Sequence, residues 1–398
     1  MKNKSTNETR SKTNNRKVSK ASPRNSQQLD LELAGLALSK PSLPLLASKS
    51  QNTAGAPSVC PDVFSRLSPA KPTPVYDTYW RFAAERQEIF FKRLEGAIEP
   101  WTEDPILQTY KFTNAYRASD RVSQYLIRHV IYRDDLPNSP EEVFFRILLF
   151  KLFNRVETWE LLERSVGTIS LEEFSYKRYD AIFTNALRTE MRVYSAAYIM
   201  PPGGRTFGHP LKHQNHLELL ALMLRESVPK RLQATKRMQD GFTLLKGFPT
   251  IGDFLAYQFI TDLNYSELTN FTEREFVIPG PGARDGLRKC FFSFGGLNEA
   301  ETIRFMADSQ EQEFERLGLR FRSLWGRPLQ LIDCQNLFCE TDKYARVAHP
   351  DIKGISGRVR IKQQFMPKDT SPQPIYPPKW RLKIPSFAST QARQRSLL

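Results

Sequence analysis

The spacing of apolar residues along the chain predicts a helical body. Ser139-Pro140-Glu141-Glu142 supplies a capping serine, a proline at the first helical position and a glutamate to close a capping box. Val143, Phe144, Ile147, Leu148, Leu152 and Val156 follow at three- and four-residue spacing, which reads as a buried helix. Ser170-Leu171-Glu172-Glu173 and Asn298-Glu299-Ala300-Glu301 repeat the capping pattern, and Gly318 is placed to stop the helix begun at Glu299. Two β-prone pieces, 275–278 and 358–361, are too short to found a sheet-based domain. The expected fold class is mainly α, a single helical domain.

The same pattern sets the boundaries. Residues 1–70 are rich in Ser, Asn, Lys and Pro and poor in aromatics, so a disordered basic N-terminal region is expected, with a Leu-rich stretch at 29–46 able to form a short binding helix. Aromatics become dense from Val75-Tyr76-Asp77-Thr78-Tyr79-Trp80, where the folded body, 75–351, should begin. Residues 352–398 read as a basic, Pro-rich extended tail.

Charge changes this picture only by its location. The 398 residues carry a formal +15, which suggests a polyanionic partner. Residues 1–24 hold eight Lys/Arg against Glu8, and residues 352–398 hold ten against Asp369, so the stretch between them is left with one net negative charge. The tails therefore carry the surplus. They suit either salt-dependent attraction to phosphate or a solubilising or targeting role. Cys60, Cys290, Cys334 and Cys339 form no CxxC pair, which favours a reducing, intracellular compartment, the nucleus in a eukaryotic host. No apolar run reaches membrane length, and no membrane partner is expected.

Four segments can carry chemistry. Leu245-Lys246-Gly247-Phe248-Pro249-Thr250-Ile251-Gly252-Asp253 looks like a helix-hairpin-helix element, whose amides at a helix N-terminus attract phosphate; an ordinary loop into a buried helix fits as well. Thr250 stands where such hairpins usually have glycine, and Asp253 brings a negative charge. In Gly280-Pro281-Gly282-Ala283-Arg284 the glycines allow close approach of a ligand and Arg284 can bind phosphate, or the segment is a tight turn. If 112–127 is helical, Arg117, Asp120, Arg121 and Gln124 form one polar ridge, either a solvated face or a site. Glu340 and Lys343 share a helical face, as a general base with its tuning cation or as a plain salt bridge. Asp262, Glu273 and Glu275 are the acids near the hairpin. His209, His213 and His216 have weak spacing for a metal, so no metal or other cofactor is expected. The Gly-Lys-Ser/Thr ending of a nucleotide P-loop is absent from the chain.

In order along the chain, Tyr116-Arg117-x-x-Asp120-Arg121-Val122-x-Gln124-Tyr125-Leu126, Gly247-x-Pro249-x-x-Gly252 with Ala256-Tyr257-Gln258-x-x-Thr261-Asp262-Leu263, Gly280-Pro281-Gly282-Ala283 and Cys339-Glu340-x-Asp342-Lys343-Tyr344 form a distinctive set. The set resembles the helical domain of 5-hydroxymethyl-deoxyuridine DNA kinases and is similar to the related α-glutamyl/putrescinyl thymine pyrophosphorylases. The resemblance spans roughly 79–350. It implies an all-helical fold distantly like DNA glycosylases and a role in hypermodification of thymine-derived bases in DNA. Three functions fit: a transferase acting on an activated base, a non-catalytic module that recognises modified DNA, and, least well, a glycosylase. Under this reading Asp120, Asp262, Glu340 and Lys343 are catalytic. Arg117, Arg121, Arg284, Gly247, Gly252, Gly280 and Gly282 contact DNA or phosphate, and Tyr116, Tyr257 and Tyr344 stack on an extruded base. DNA is the expected partner, with a separate kinase supplying the activated base, because the kinase branch phosphorylates through a P-loop domain.

Overall fold

Thr73 accepts a hydrogen bond from the Val75 amide and Pro74 fixes the first turn; from this cap the first helix, α1 (Pro74–Leu94), enters the core with Tyr79, Trp80, Phe82, Ala83, Phe90 and Phe91 buried. The computed structural model describes residues 69–196, 200–367 and 372–385. The predicted binding helix at 29–46 lies outside the described residues.

Thirteen further helices follow: α2 (Pro105–Thr109), α3 (Arg121–Leu126), α4 (Pro140–Phe153), α5 (Val156–Val166), α6 (Tyr176–Arg188), α7 (Gly204–Phe207) and α8 (Lys212–Arg225), then α9 (Val228–Gln233), α10 (Met238–Lys246), α11 (Asp253–Leu263), α12 (Pro281–Cys290), α13 (Glu299–Arg316) and α14 (Leu331–Ala348). Among the described residues the one sheet is a two-stranded antiparallel ribbon, β1 (Lys71–Pro72) with β2 (Phe291–Ser293). The mainly α expectation holds. Neither β-prone piece became a strand.

Helix α4 is buried on nearly every side, with Phe144, Phe145, Ile147, Leu148, Leu149, Phe150, Leu152 and Phe153 in the core and Arg146 and Lys151 buried among them, as expected of a helix at the centre of a large core. Removing a ring such as Phe144 should cost about 3–5 kcal/mol. The capping prediction there is half right. Ser139 accepts from the Glu142 amide, but the Glu142 carboxylate turns away to the Leu171 and Glu172 amides and to Arg146. Those contacts fold 170–173 as a turn, and the helix predicted at Ser170 starts later, at Tyr176, with Ser175 as its cap. At α13 both halves of the Asn298/Glu301 capping box form, and Gly318 follows the helix with φ +62°.

The region 112–131 differs most from expectation. A 3-10 turn at Arg117–Ser119 interrupts the predicted helix, α3 begins only at Arg121, and a π-helical turn at Ile127–Ile131 follows. Arg117 is consequently buried while Arg121 is exposed, so the two do not share a ridge.

The expected extended C-terminal tail is, over 372–385, a strap across the body that includes a 3-10 turn at Pro378–Trp380. Gln124 donates to the Ile375 carbonyl and accepts from the Ile375 amide, at 2.9 and 2.8 Å, and the hydroxyls of Tyr376 and Ser119 are 2.7 Å apart. Lys379 donates to the carbonyls of Ser266 and Thr269, both at 2.6 Å. Tyr376 is buried beside Trp325 and Trp380.

Helices α12 and α14 meet along a glycine seam. A Cβ on Gly282 would stand 2.3 Å from the Cys339 sulfur, and one on Gly286 2.0 Å from the Phe338 carbonyl oxygen. Only glycine allows this approach. The seam continues in a buried ion pair, Lys289 to Asp342 at 3.0 Å.

Candidate functional site

The loop 112–116 crosses between α1 and α14, and its two consecutive amides hold two carboxylates. Thr113 donates to Glu340 Oε2 at 2.9 Å, and Asn114 donates to Asp120 Oδ1 at 2.8 Å. From α1, Arg86 donates through Nε to the Thr113 carbonyl and through Nη2 to Asn114 Oδ1, both at 3.0 Å. From α14, Lys343 donates to Glu340 Oε2 at 2.8 Å, and its ammonium lies 4.8 Å from the centre of the Phe112 ring. Asp120, Glu340, Lys343 and Arg86 thus form one cluster drawn from three distant stretches of sequence.

Burial is the main reason the Asp120 carboxyl is pushed up to about 7, with the charge of Glu340 adding to it; the Asn114 amide and the cations Arg117 and Arg86 act in the opposite direction. Burial also lowers the Arg86 guanidinium to about 10. The Thr113 hydroxyl beside the pair is buried with no hydrogen-bond partner. A carboxyl titrating near neutrality, a second carboxylate and two cations can together move a proton and hold an anionic or polar substrate atom.

A second polar centre lies deeper. Arg117 grips Asp262 through two parallel bonds, 2.7 and 3.0 Å, and Lys151 reaches the same carboxylate at 3.0 Å. Asp262 has no exposed surface, and Arg117 and Lys151 have 2% and 4%. Burial alone would raise the Asp262 pKa, but the two cations outweigh it and hold it below the usual carboxylate range. Arg117 also donates to Tyr265, and its backbone amide donates to Asp333 at 2.8 Å. Burial pushes Asp333 up to about 6. Sealed from solvent, Asp262 is the shared counterion of Arg117 and Lys151 in the core.

The remaining candidates are dispersed. Arg121 is exposed, 4.0 Å from Glu157. Arg284 is exposed and paired with Glu299 at 3.1 Å. Gly282 serves the helix seam, and a Cβ on Gly280 would stand 2.8 Å from the Phe254 ring, so packing accounts for both glycines. Tyr116 and Tyr257 are each 1% exposed. The Tyr116 hydroxyl donates to the Arg327 carbonyl, and the Tyr257 ring packs edge-on against Phe276. In this conformation neither presents a face to a base. Tyr344 is half-buried against Phe82 and Phe112, and its hydroxyl donates to Asp104 at 2.6 Å. His213 faces Asp180, and His216 sits between Tyr194 and the Pro201 carbonyl.

Between α10 and α11 the segment 247–252 makes the predicted sharp turn. Gly247 closes α10 in helical geometry. Thr250 occupies the left-handed region at φ +67°, a conformation glycine tolerates more easily, and Gly252 precedes α11 without a side-chain cap. Asp253 is paired with Lys246 at 2.7 Å. Gly203 lies against Thr250, which brings the exposed Arg205 turn to the hairpin. Across residues 201–252 there are eight Lys/Arg against three acids, a basic stretch in a body that is nearly neutral as a whole.

Arg86, Lys151 and Asp333 are participants the sequence reading missed. Arg86 falls on the same helical stripe as Tyr79, Phe82, Ala83 and Phe90, so an arginine in a buried stripe was the available signal. For Lys151, within the apolar run of α4, the signal was similar.

Residues 73–354 match the family described as the helical domain of 5-hmdU DNA kinase. The chain is also 26% identical over 297 residues to a 5-hmdU DNA kinase of Bacillus phage SP10, an alignment covering 70% of this chain and 46% of that protein. It therefore spans about half the length of that relative. No solved structure matches. Among the described residues no helix is long and apolar enough to cross a membrane. The family match takes in α1, loop 112–116, α3 and α14, every element that builds the carboxylate cluster, and the chain belongs to the 5-hmdU DNA kinase helical-domain family.

Proposed function

We propose that this protein modifies 5-hydroxymethyluracil-type bases in DNA, as a transferase acting on an activated base, with Asp120 as the proton-transferring group. The observation that carries this reading is the convergence of Asp120, Glu340, Lys343 and Arg86 on loop 112–116. A carboxyl near pH 7 can take the proton of an incoming nucleophile, while Lys343 and Arg86 supply positive charge for a phosphate-bearing leaving group. Asp262 and Tyr257 support the site from the core. The basic stretch around the hairpin is the DNA-docking face, where the amides before α11 meet a backbone phosphate. Phosphorylation of the base falls to a separate kinase, and the setting is intracellular, nuclear in a eukaryote.

A second reading, a non-catalytic recogniser of modified DNA, is favoured by one observation: Glu340 already has Lys343 and the Thr113 amide as partners. Incubation with DNA containing thymine, 5-hydroxymethyluracil or its pyrophosphorylated form, followed by nucleoside mass spectrometry, decides between them. A new nucleoside from the activated DNA, lost in Asp120→Asn, supports the transferase. Unchanged nucleosides with retained binding refute it in favour of the recogniser.

A further inference from the structure

A cavity of about 290 Å³ opens between the loop 264–274, the approach to α14 and the C-terminal strap, lined by Glu273, Arg274, Arg327, Gln330, Lys379 and Trp380 among others. It has room for roughly ten waters. Three cations and one carboxylate line it, and with the Asp308 carboxylate that pairs Arg274 at the rim the balance is one positive charge. The cations are also held in place. The Arg327 guanidinium lies 3.8 Å from the centre of the Trp380 ring and pairs with Glu273 at 2.8 Å, while its Nε is buried without a partner. Lys379 spends two of its three N–H donors on the carbonyls of Ser266 and Thr269 and keeps one. Arg274 pairs with Asp308 at 2.5 Å at the half-exposed rim.

The unused Lys379 donor, the Arg327 guanidinium fixed beside it and a third cation at the mouth match a tetrahedral oxyanion far better than a neutral or cationic ligand. A planar base has little place here, because Arg327 covers one face of Trp380 and Tyr376 stacks against the ring at 5.9 Å. We propose that this cavity is a phosphate-binding site, completed by Lys379 and Trp380 of the strap. The strap residues Lys379 and Trp380 lie beyond residues 73–354, the family-matched span. The cavity lining shares no residue with the Asp120 cluster, and the site holds whether or not that cluster is catalytic.

The test is calorimetric titration of the full chain with inorganic phosphate, then with a short single-stranded DNA with and without a 5′-phosphate. Saturable phosphate binding is expected, weakened about tenfold or more in Lys379→Met, as the loss of one charge-assisted bond implies, and also weakened in Arg274→Gln. The second variant alters only a rim residue, so it keeps the test valid if Lys379→Met fails to fold. Competition of phosphate with the 5′-phosphorylated DNA alone identifies a terminal phosphate as the ligand. Competition with both DNAs identifies a backbone phosphate, and competition with neither identifies free phosphate. Absence of saturable phosphate binding by the wild type, or equal binding by wild type and both folded variants, overturns the proposal. Because no base chemistry is read, failure here is separate from failure of the proposed activity.

Discussion

Asp262→Asn offers the sharpest test of the structural reasoning, because Asp262 is fully buried and shared by two sealed cations. The side chain is fully buried, and Arg117 and Lys151 approach it at 2.7 and 3.0 Å. Replacing the carboxylate with an amide preserves shape but leaves two buried positive charges without their common counterion. Removing one partner of a buried pair costs about 3–5 kcal/mol. In a unit of this size that corresponds to a fall in Tm on the order of 6–10 °C. The variant has one means of relief. Burial already lowers the Lys151 pKa, and loss of Asp262 lowers it further. The folded variant then binds fewer protons than its unfolded chain, so its stability should rise with pH from neutrality towards the ordinary lysine range. Adding Lys151→Met should recover part of the loss at pH 7, since it removes one of the two stranded charges. Urea unfolding of wild type, single and double variants at two pH values measures all three effects. A single variant within about 1 kcal/mol of wild type at pH 7 would refute the assignment of Asp262 as a structural counterion.

Three further outcomes are expected. Asp120 has a folded pKa near 7 against an ordinary value of 3.8, so the native state favours its protonated form and the group subtracts stability as pH climbs from about 4 to 7. Asp120→Asn should flatten that part of the stability profile, and an unchanged slope in urea midpoints between pH 5 and pH 7.5 would show that Asp120 is not so perturbed. Gly286→Ala would drive a methyl into the Phe338 carbonyl, and a destabilisation of about 1–3 kcal/mol or more should appear in thermal melts. Gln124→Ala removes both bonds to Ile375, so limited proteolysis within 372–385 should accelerate while the core stays intact; an unchanged cleavage rate would mean that Tyr376 and Lys379 hold the strap unaided.

What could be read from the sequence was what local chemistry decides. The Asn298/Glu301 box and the start of α4 at Ser139-Pro140 depend on residues within one turn, and both formed. The Glu340–Lys343 pair was legible for the same reason, being three residues apart on one helix. Glu142 and Ser170 failed because the Glu142 carboxylate found amides 29 and 30 residues away, a tertiary partner that no local motif encodes. Asp120 was singled out as a candidate catalytic acid, and the structure buries it in the carboxylate cluster, yet the expected helix around it is broken. Its carboxylate binds the Asn114 amide six residues back, which is incompatible with a continuous helix through 114–120. Tyr116 and Tyr257 looked available because motif position says nothing about burial. The strap illustrates the same limit, since prolines forecast its extended backbone but not the distant Gln124 that receives it.

The glycine seam has a mechanical consequence for the cluster. Gly282 packs against the Cys339 side chain, immediately before Glu340, with no side chain of its own between the two helices. Helix α14 is thereby a rail clamped on one side by α12 and on the other by the Thr113 amide. Any side chain larger than hydrogen at Gly282 would therefore push directly on the turn of α14 that carries Glu340 and Lys343.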